Sequence, residues 1–177
     1  VHLTLRFLLA VSIISQIKIF ICRQNYPLKL TGGFYLNYYL VNTNRRADPS
    51  GQDEQAMIDG QFVALYFDGY KEKIDLLKEG DIVFLYGNSK GIIAFGEVQG
   101  DTQRLKYKGM NKFEDEEYRR SIRKNFVPLP KPFTSKQIRQ TVGKRIVLAK
   151  AFFKIDEVLG ATLLSKLKYD YQVIKAA

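Results

Sequence analysis

Arg119-Arg120 and Arg123-Lys124 form a dense basic run interleaved with Tyr118 and Phe126. Such side chains do binding chemistry. Cations hold phosphates, and an aromatic ring accepts an unstacked base, a contact worth ~1–3 kcal/mol. The same run also fits a solvated strand edge or helix face, and the residues alone leave both open. Covalent chemistry finds little support. His2 is the only histidine and Cys22 the only cysteine, which removes Ser-His-Asp and Cys-His pairs, a disulfide framework and a Cys/His zinc site. Asp81 and Glu97 invite reading as a carboxylate pair. Asp81, however, follows Gly80 as a turn residue, and Glu97 reads as a strand-end surface charge or pocket wall. Neither glycine-rich phosphate-loop pattern occurs. The expectation is a binding protein and not an enzyme, with no cofactor and no metal.

Charge is unevenly spread. Residues 1–32 carry four bases and no acid, residues 33–99 six bases against ten acids, and residues 100–177 eighteen bases against eight acids. The surplus of +10 therefore gathers in the C-terminal half, which suits phosphate backbones, anionic lipid or an acidic protein; a solubilising coat is the plainer alternative. At 177 residues, 46% hydrophobic and 13% aromatic, the chain has the material for one folded domain.

The elements that must position these residues read as follows. Gly80 to Val98 holds two β-branched and aromatic runs joined by Asn88-Ser89-Lys90-Gly91, a β-hairpin signature. A short helix, Tyr70 to Lys78, precedes it. Phe34 to Asn42 is a strand, Thr43 to Gln52 a turn-rich loop, Asp53 to Ile58 a short helix capped by Asp53 and ended at Gly60, and Phe62 to Phe67 a second strand. Gly100-Asp101 makes a turn, and Arg104 to Lys108 alternates as an edge or half-exposed strand. Glu114 to Val127 is ambiguous, but its proline-rich end, Asn125 to Pro132, must be extended. Thr134 to Val142 suits a helix stopped by Gly143, Arg145 to Ala149 a strand, and Ile155 to Leu167 a final amphipathic helix. The sum is an α+β fold of about six strands around a curled or closed sheet, with short flanking helices.

Residues 1–32 stand apart. The apolar core Phe7 to Ile17 is shorter than the ~20 residues that span a bilayer, and no small-residue cleavage site follows. Three readings stay open: a membrane anchor or uncleaved signal, a packed extra element, or an upstream extension with the protein proper starting near Gly33.

The succession of an aromatic strand (Phe34 to Val41), the loop Asn42-Thr43-Asn44, a short helix ending in Gly60-Gln61-Phe62, the helix Tyr70 to Leu77 and a hairpin closing on Gly96-Glu97-Val98 resembles the PUA-like superfamily. Within it, the match is to the EVE and YTH-type modified-base-binding domains. The resemblance covers residues 34–167 and implies a PUA-like barrel over 33–177, with 1–32 outside it. It implies a flipped or modified base held in an aromatic pocket, with Phe62 at the usual cage-tryptophan position. Asn42, Thr43 and Asn44 would then read the base edge, and Tyr86 and Asn88 would close over it. The chain has no tryptophan, so Tyr66, Tyr70 or Tyr86 must supply the other wall. Phosphate contacts are then expected from Arg45, Arg46, Arg104, Lys108, Arg119, Arg120 and Arg123. The implied partners are DNA or RNA and an effector protein, with the domain serving as sensor of a defence or restriction system in the cytoplasm. The alternatives are a membrane-tethered or secreted interaction domain, in which residues 1–22 anchor, and an RNA- or tRNA-binding accessory domain on the same fold.

Overall fold

Val83 and Leu85 alternate with Ile82, Phe84 and Tyr86, and every one of them is buried, so the strand they form must be covered on both faces. This strand, β3 (Ile82–Gly87), turns through Asn88-Ser89-Lys90 into β4 (Gly91–Leu105), and the Lys90 N–H donates to the Gly87 carbonyl at 3.0 Å. The remaining elements of the computed structural model are β1 (Tyr38–Asn42), α1 (Gln52–Gly60), β2 (Phe62–Tyr66), a 3-10 helix (Lys71–Leu76), β5 (Glu117–Phe133), α2 (Ser135–Val142), β6 (Phe152–Ile155) and α3 (Glu157–Ala176). The structure describes residues 36–44, 47–66, 69–107, 116–143 and 150–176. The expected strand Arg145 to Ala149, the ends Phe34 and Phe67, and all of 1–32 lie outside them.

The six strands make one mixed sheet, curled into a half-barrel, in the order β2-β5-β4-β3-β1-β6. β1 runs parallel to β3, from Tyr38 opposite Ile82 to Asn42 opposite Tyr86, and every other neighbour is antiparallel. Asp81 pins the start of this parallel pair. Its buried carboxylate accepts from Asn37 Nδ2 and the Lys78 N–H, both at 2.8 Å, and from the Asn37 N–H at 3.3 Å.

Each face of the sheet has its own core. On one, Val83 and Leu85 meet Val63, Leu65 and Ile122 together with Met57 of α1 and Ile74 and Leu77 around the 3-10 helix. On the other, Phe84 and Phe95 meet Phe133, Ile138 of α2, and Leu163 and Leu167 of α3. Each fully buried side chain of this size contributes ~1.5–3 kcal/mol.

Several local expectations are corrected. Gly100, with φ 65°, is a kink within β4 and not a turn, so Arg104 and Leu105 belong to the same strand as the hairpin. Pairing with β5 carries the strand through, with repeated register shifts. The helix at Tyr70 to Lys78 is two turns of 3-10 helix, Lys71–Leu76. Asp53 lies inside α1, whose N-cap is Gly51, and the N-terminal amide of Asp53 is satisfied by Asp48 Oδ2 at 2.8 Å. Ile155 closes β6, and α3 begins after Asp156, whose carboxylate accepts from the Val158 and Leu159 amides. The α2 start is as its sequence implies: Thr134 and Gln137 form a reciprocal capping box and Gly143 ends the helix at φ 69°. Pro128, Pro130 and Pro132 fall where β5 has β4 as a neighbour but has run past β2, which pairs only with Glu117 to Ser121.

Gly160 lets α3 seat on β1. A Cβ there would lie 2.1 Å from Cγ of Tyr38 and 2.4 Å from its Cβ, near the root of a buried ring. Gly160→Ala gains up to ~1 kcal/mol of helix propensity, and the overpacking costs ~1–3 kcal/mol. The variant is expected to be less stable in urea denaturation, against the direction that propensity alone gives.

Candidate nucleic-acid interface

The strand β1 ends in Asn42, Thr43 and Asn44, and all three are held by contacts that cross the chain. Asn42 Nδ2 donates to Asn88 Oδ1 at 2.6 Å, which ties the strand exit to the hairpin turn, while Asn42 Oδ1 is buried without a donor. Thr43 is fully buried, its hydroxyl donating to Glu54 Oε2 at 2.8 Å and its N–H to the Tyr86 carbonyl at 3.0 Å. Asn44, in the left-handed region at φ 62°, donates from Nδ2 to Asp53 Oδ2 at 2.7 Å and accepts the Ala47 and Asp48 amides. Lys90 completes the corner by donating to Glu54 Oε1 at 2.5 Å. Thus Asn42, Thr43, Asn44, Asn88 and the backbone of Tyr86 are gathered at one corner, and Glu54 and Lys90 are members that sequence reading missed. No sequence signal marks them, because an acid on a short helix and a lysine in a turn both read as surface.

The aromatic residues distribute differently. The Tyr86 ring lies in the core shared with α2 and α3, where burial raises its phenol pKa and Arg139 opposes the shift. The Tyr66 ring lies in the opposite core, edge-on to Tyr107 with centroids 5.0 Å apart. Burial, together with Asp53, Glu117, Tyr107 and Asp48, pushes its phenol far up. The two rings lie in separate buried clusters and do not wall one hollow. Tyr70 is half-exposed beside Lys73, whose ammonium is 4.5 Å from the ring centroid. Two clefts among the described residues lie elsewhere. One is lined by Leu36, Asn37 and Lys154 to Glu157, the other by Pro128 to Pro130 with Tyr171, Ile174 and Lys175; neither touches Asn42 to Asn44 or Phe62.

Cations and rings meet instead along β2, β5 and β4. The Arg119 guanidinium lies over the Phe62 ring, 4.8 Å from its centroid, and donates from Nε to Gln103 Oε1 at 3.0 Å. Tyr118, on the other side of β5, receives Arg104 at 5.0 Å and Lys71 at 5.4 Å. Arg104 also approaches Asp75, and Lys71 approaches Glu116. Arg123 is exposed, with no side-chain partner among the described residues. Arg120 corrects the expectation of a phosphate contact. It points inward, buried, donating to the carbonyls of Leu77 and Gly100 and joining the 3-10 turn to the β4 kink. Arg45, Arg46 and Lys108 lie outside the described residues. No group of three or more His, Cys, Asp or Glu among the described residues could hold a metal, and no helix among them is long and apolar enough to cross a membrane.

Among solved structures, the chain is similar to the YTH domain-containing protein mmi1 in complex with RNA, at TM-score 0.53 and 9% identity, over 80% of this chain and 87% of that one. It also matches a structural-genomics protein from Pseudomonas putida at TM-score 0.47 and 12% identity, over 72% of this chain and 97% of that one. No protein-family model and no curated protein matches. The first likeness shows a shared fold, in agreement with the expected α+β curled barrel.

Two outcomes follow from the buried charges. Arg120→Ala should lower stability by ~2–4 kcal/mol, because it deletes charge-assisted bonds and leaves buried carbonyls unmet; a thermal melt reads this. Glu117 is held above its ordinary 4.5 by burial, against Arg119 and with Asp53. Between the unfolded and the raised folded value the folded state binds more protons, so this group's contribution to stability falls as pH rises through that window. Glu117→Gln should therefore gain on the parent from about pH 4.5 upward and level off above the folded pKa, in urea titrations run across pH.

Proposed function

We propose that the chain is a nucleic-acid-binding module of the YTH or EVE type, and that it reads an unstacked or modified base. The observation that carries this reading is the half-barrel it has in common with a YTH domain solved with RNA, over most of both chains. The charge of +10 and the cation-on-ring contacts of β2, β5 and β4 support it. The RNA in that neighbour makes RNA the first ligand to test, ahead of DNA. Phosphates would be met by Arg104 and Arg123, with Arg45, Arg46 and Lys108 as further contacts expected from the sequence. The Asn42–Asn88 corner, where the strand exit meets the hairpin turn, would read the base edge. In this reading the protein binds and does not catalyse. It acts in the cytoplasm through an effector protein, in the manner of a defence-system sensor.

Fluorescence anisotropy with modified and unmodified single-stranded RNA and DNA tests this. Binding should weaken steeply with salt. Arg123→Ala should weaken every sequence alike and reduce the salt slope by about 1. Asn42→Ala should leave that slope intact and erase a discrimination of ~1–3 kcal/mol between the best and the unmodified oligonucleotide. A chain that binds no oligonucleotide in low salt is not a nucleic-acid reader.

A further inference from the structure

Phe62 is not an open stacking surface. A Cβ on Gly60 would lie 2.5 Å from Cδ1 and Cε1 of the ring, so the backbone already presses on it, and the Arg119 guanidinium covers it at 4.8 Å. A base arriving here meets the arginine first. Building on the nucleic-acid reading, we infer that Arg119 is itself the stacking platform for an unstacked nucleobase, with Phe62 as the layer beneath it.

The geometry of the guanidinium carries the argument. Its N–H donors all point outward in its own plane, so hydrogen bonds engage the rim and leave the two flat faces free. Arg119 is braced at that rim twice: Nε donates to Gln103 Oε1 at 3.0 Å on the neighbouring strand, and the NH1 nitrogen stands 3.8 Å from Glu117 Oε1. Gln103 is directly opposite Arg119 in the β4–β5 register, so sheet pairing sets the brace. The guanidinium carbon lies over the Phe62 ring, and the side chain is 33% exposed, so part of it is open to solvent. A guanidinium plane offers a base the same kind of flat partner that an aromatic ring does. Fixing it beforehand spares the ordering cost that a loose arginine incurs on binding. Arg104 is held less closely: it lies over Tyr118 with a side chain 59% exposed, and its rim contact among the described residues is a 3.8 Å approach to Asp75.

Stacking on a plane tolerates every base, so this platform contributes affinity for single-stranded or extruded nucleotides and leaves selectivity to another group. It also separates two roles that a simple phosphate contact merges. A lysine keeps the charge and loses the plane.

The test uses the full chain with single-stranded RNA carrying 2-aminopurine, and a matched oligonucleotide with an abasic site at that position. The parent should quench the 2-aminopurine and bind the abasic strand about 5- to 100-fold more weakly. Arg119→Lys should lose the quench and bind both strands equally, whereas Arg139→Lys, at an exposed position on α2, should keep the parent pattern. Phe62→Leu, which retains apolar bulk beneath the arginine without a flat ring, should reduce the quench, with near-ultraviolet circular dichroism showing that each variant is folded. Quenching and base dependence that survive in Arg119→Lys overturn the platform while leaving the nucleic-acid reading standing. Failure of the parent to bind either strand overturns the reading on which it rests.

Discussion

Glu54 is a carboxylate on a short helix, almost wholly removed from water, and a charge in that position is tolerated only when its oxygens are met. Both are. Lys90 reaches one from the hairpin turn, and Thr43 reaches the other from the strand exit. Three segments distant in sequence, the end of β1, α1 and the β3–β4 turn, are thereby fixed to one another. The fit is tight enough to dictate its surroundings: a side chain on Gly87 would come within 2.7 Å of Glu54 Oε2. Asn42 and Asn44 take their positions from this corner, one pointing to Asn88 and the other to Asp53. Removal of any one of the three partners leaves a polar group stranded, so the corner is built as a unit.

The sheet divides labour between its two faces and its far edge. Both faces are filled, one by α1 and the 3-10 turn and the other by α2 and α3, so ligand chemistry has little room in the interior. The proposed recognition surface is the rim, where β2, β5 and β4 lay arginines and a lysine against Phe62 and Tyr118. Arg119 and Arg120 illustrate the division. They are adjacent, so strand alternation sends one over the Phe62 ring and the other into the core, and identical chemistry becomes a surface contact in one case and a buried strut in the other.

That alternation also explains what could be read from sequence and what could not. The hairpin, the Thr134 to Val142 helix ended by Gly143, the extended prolines and the final helix each depend on a few neighbouring residues, and all were legible. The continuation of β4 through Gly100 was not, because Gly-Asp favours a turn locally and only pairing with β5 overrides it. Which of two adjacent arginines turns inward, and that Tyr66 and Tyr86 occupy opposite cores, depend on the register and curl of strands that meet only in three dimensions. The Asp48 contact that replaces the expected Asp53 cap, and the Glu54 corner, join residues whose types alone suggest a solvated surface. The aromatic-basic character of the recognition rim was visible in Tyr118 to Arg123; the pairing of Arg119 with Phe62, 57 positions away, was not.

Past Ser121, β5 has no second strand paired with it among the described residues. Exposed strand margins template the growth of fibres, since any extended segment of another molecule can dock onto the row of backbone groups. Here three alternate positions are imino acids with no amide hydrogen to offer, and a would-be guest cannot complete a ladder against them. The stretch that looks least regular in the sequence is thus a poor template for an added strand.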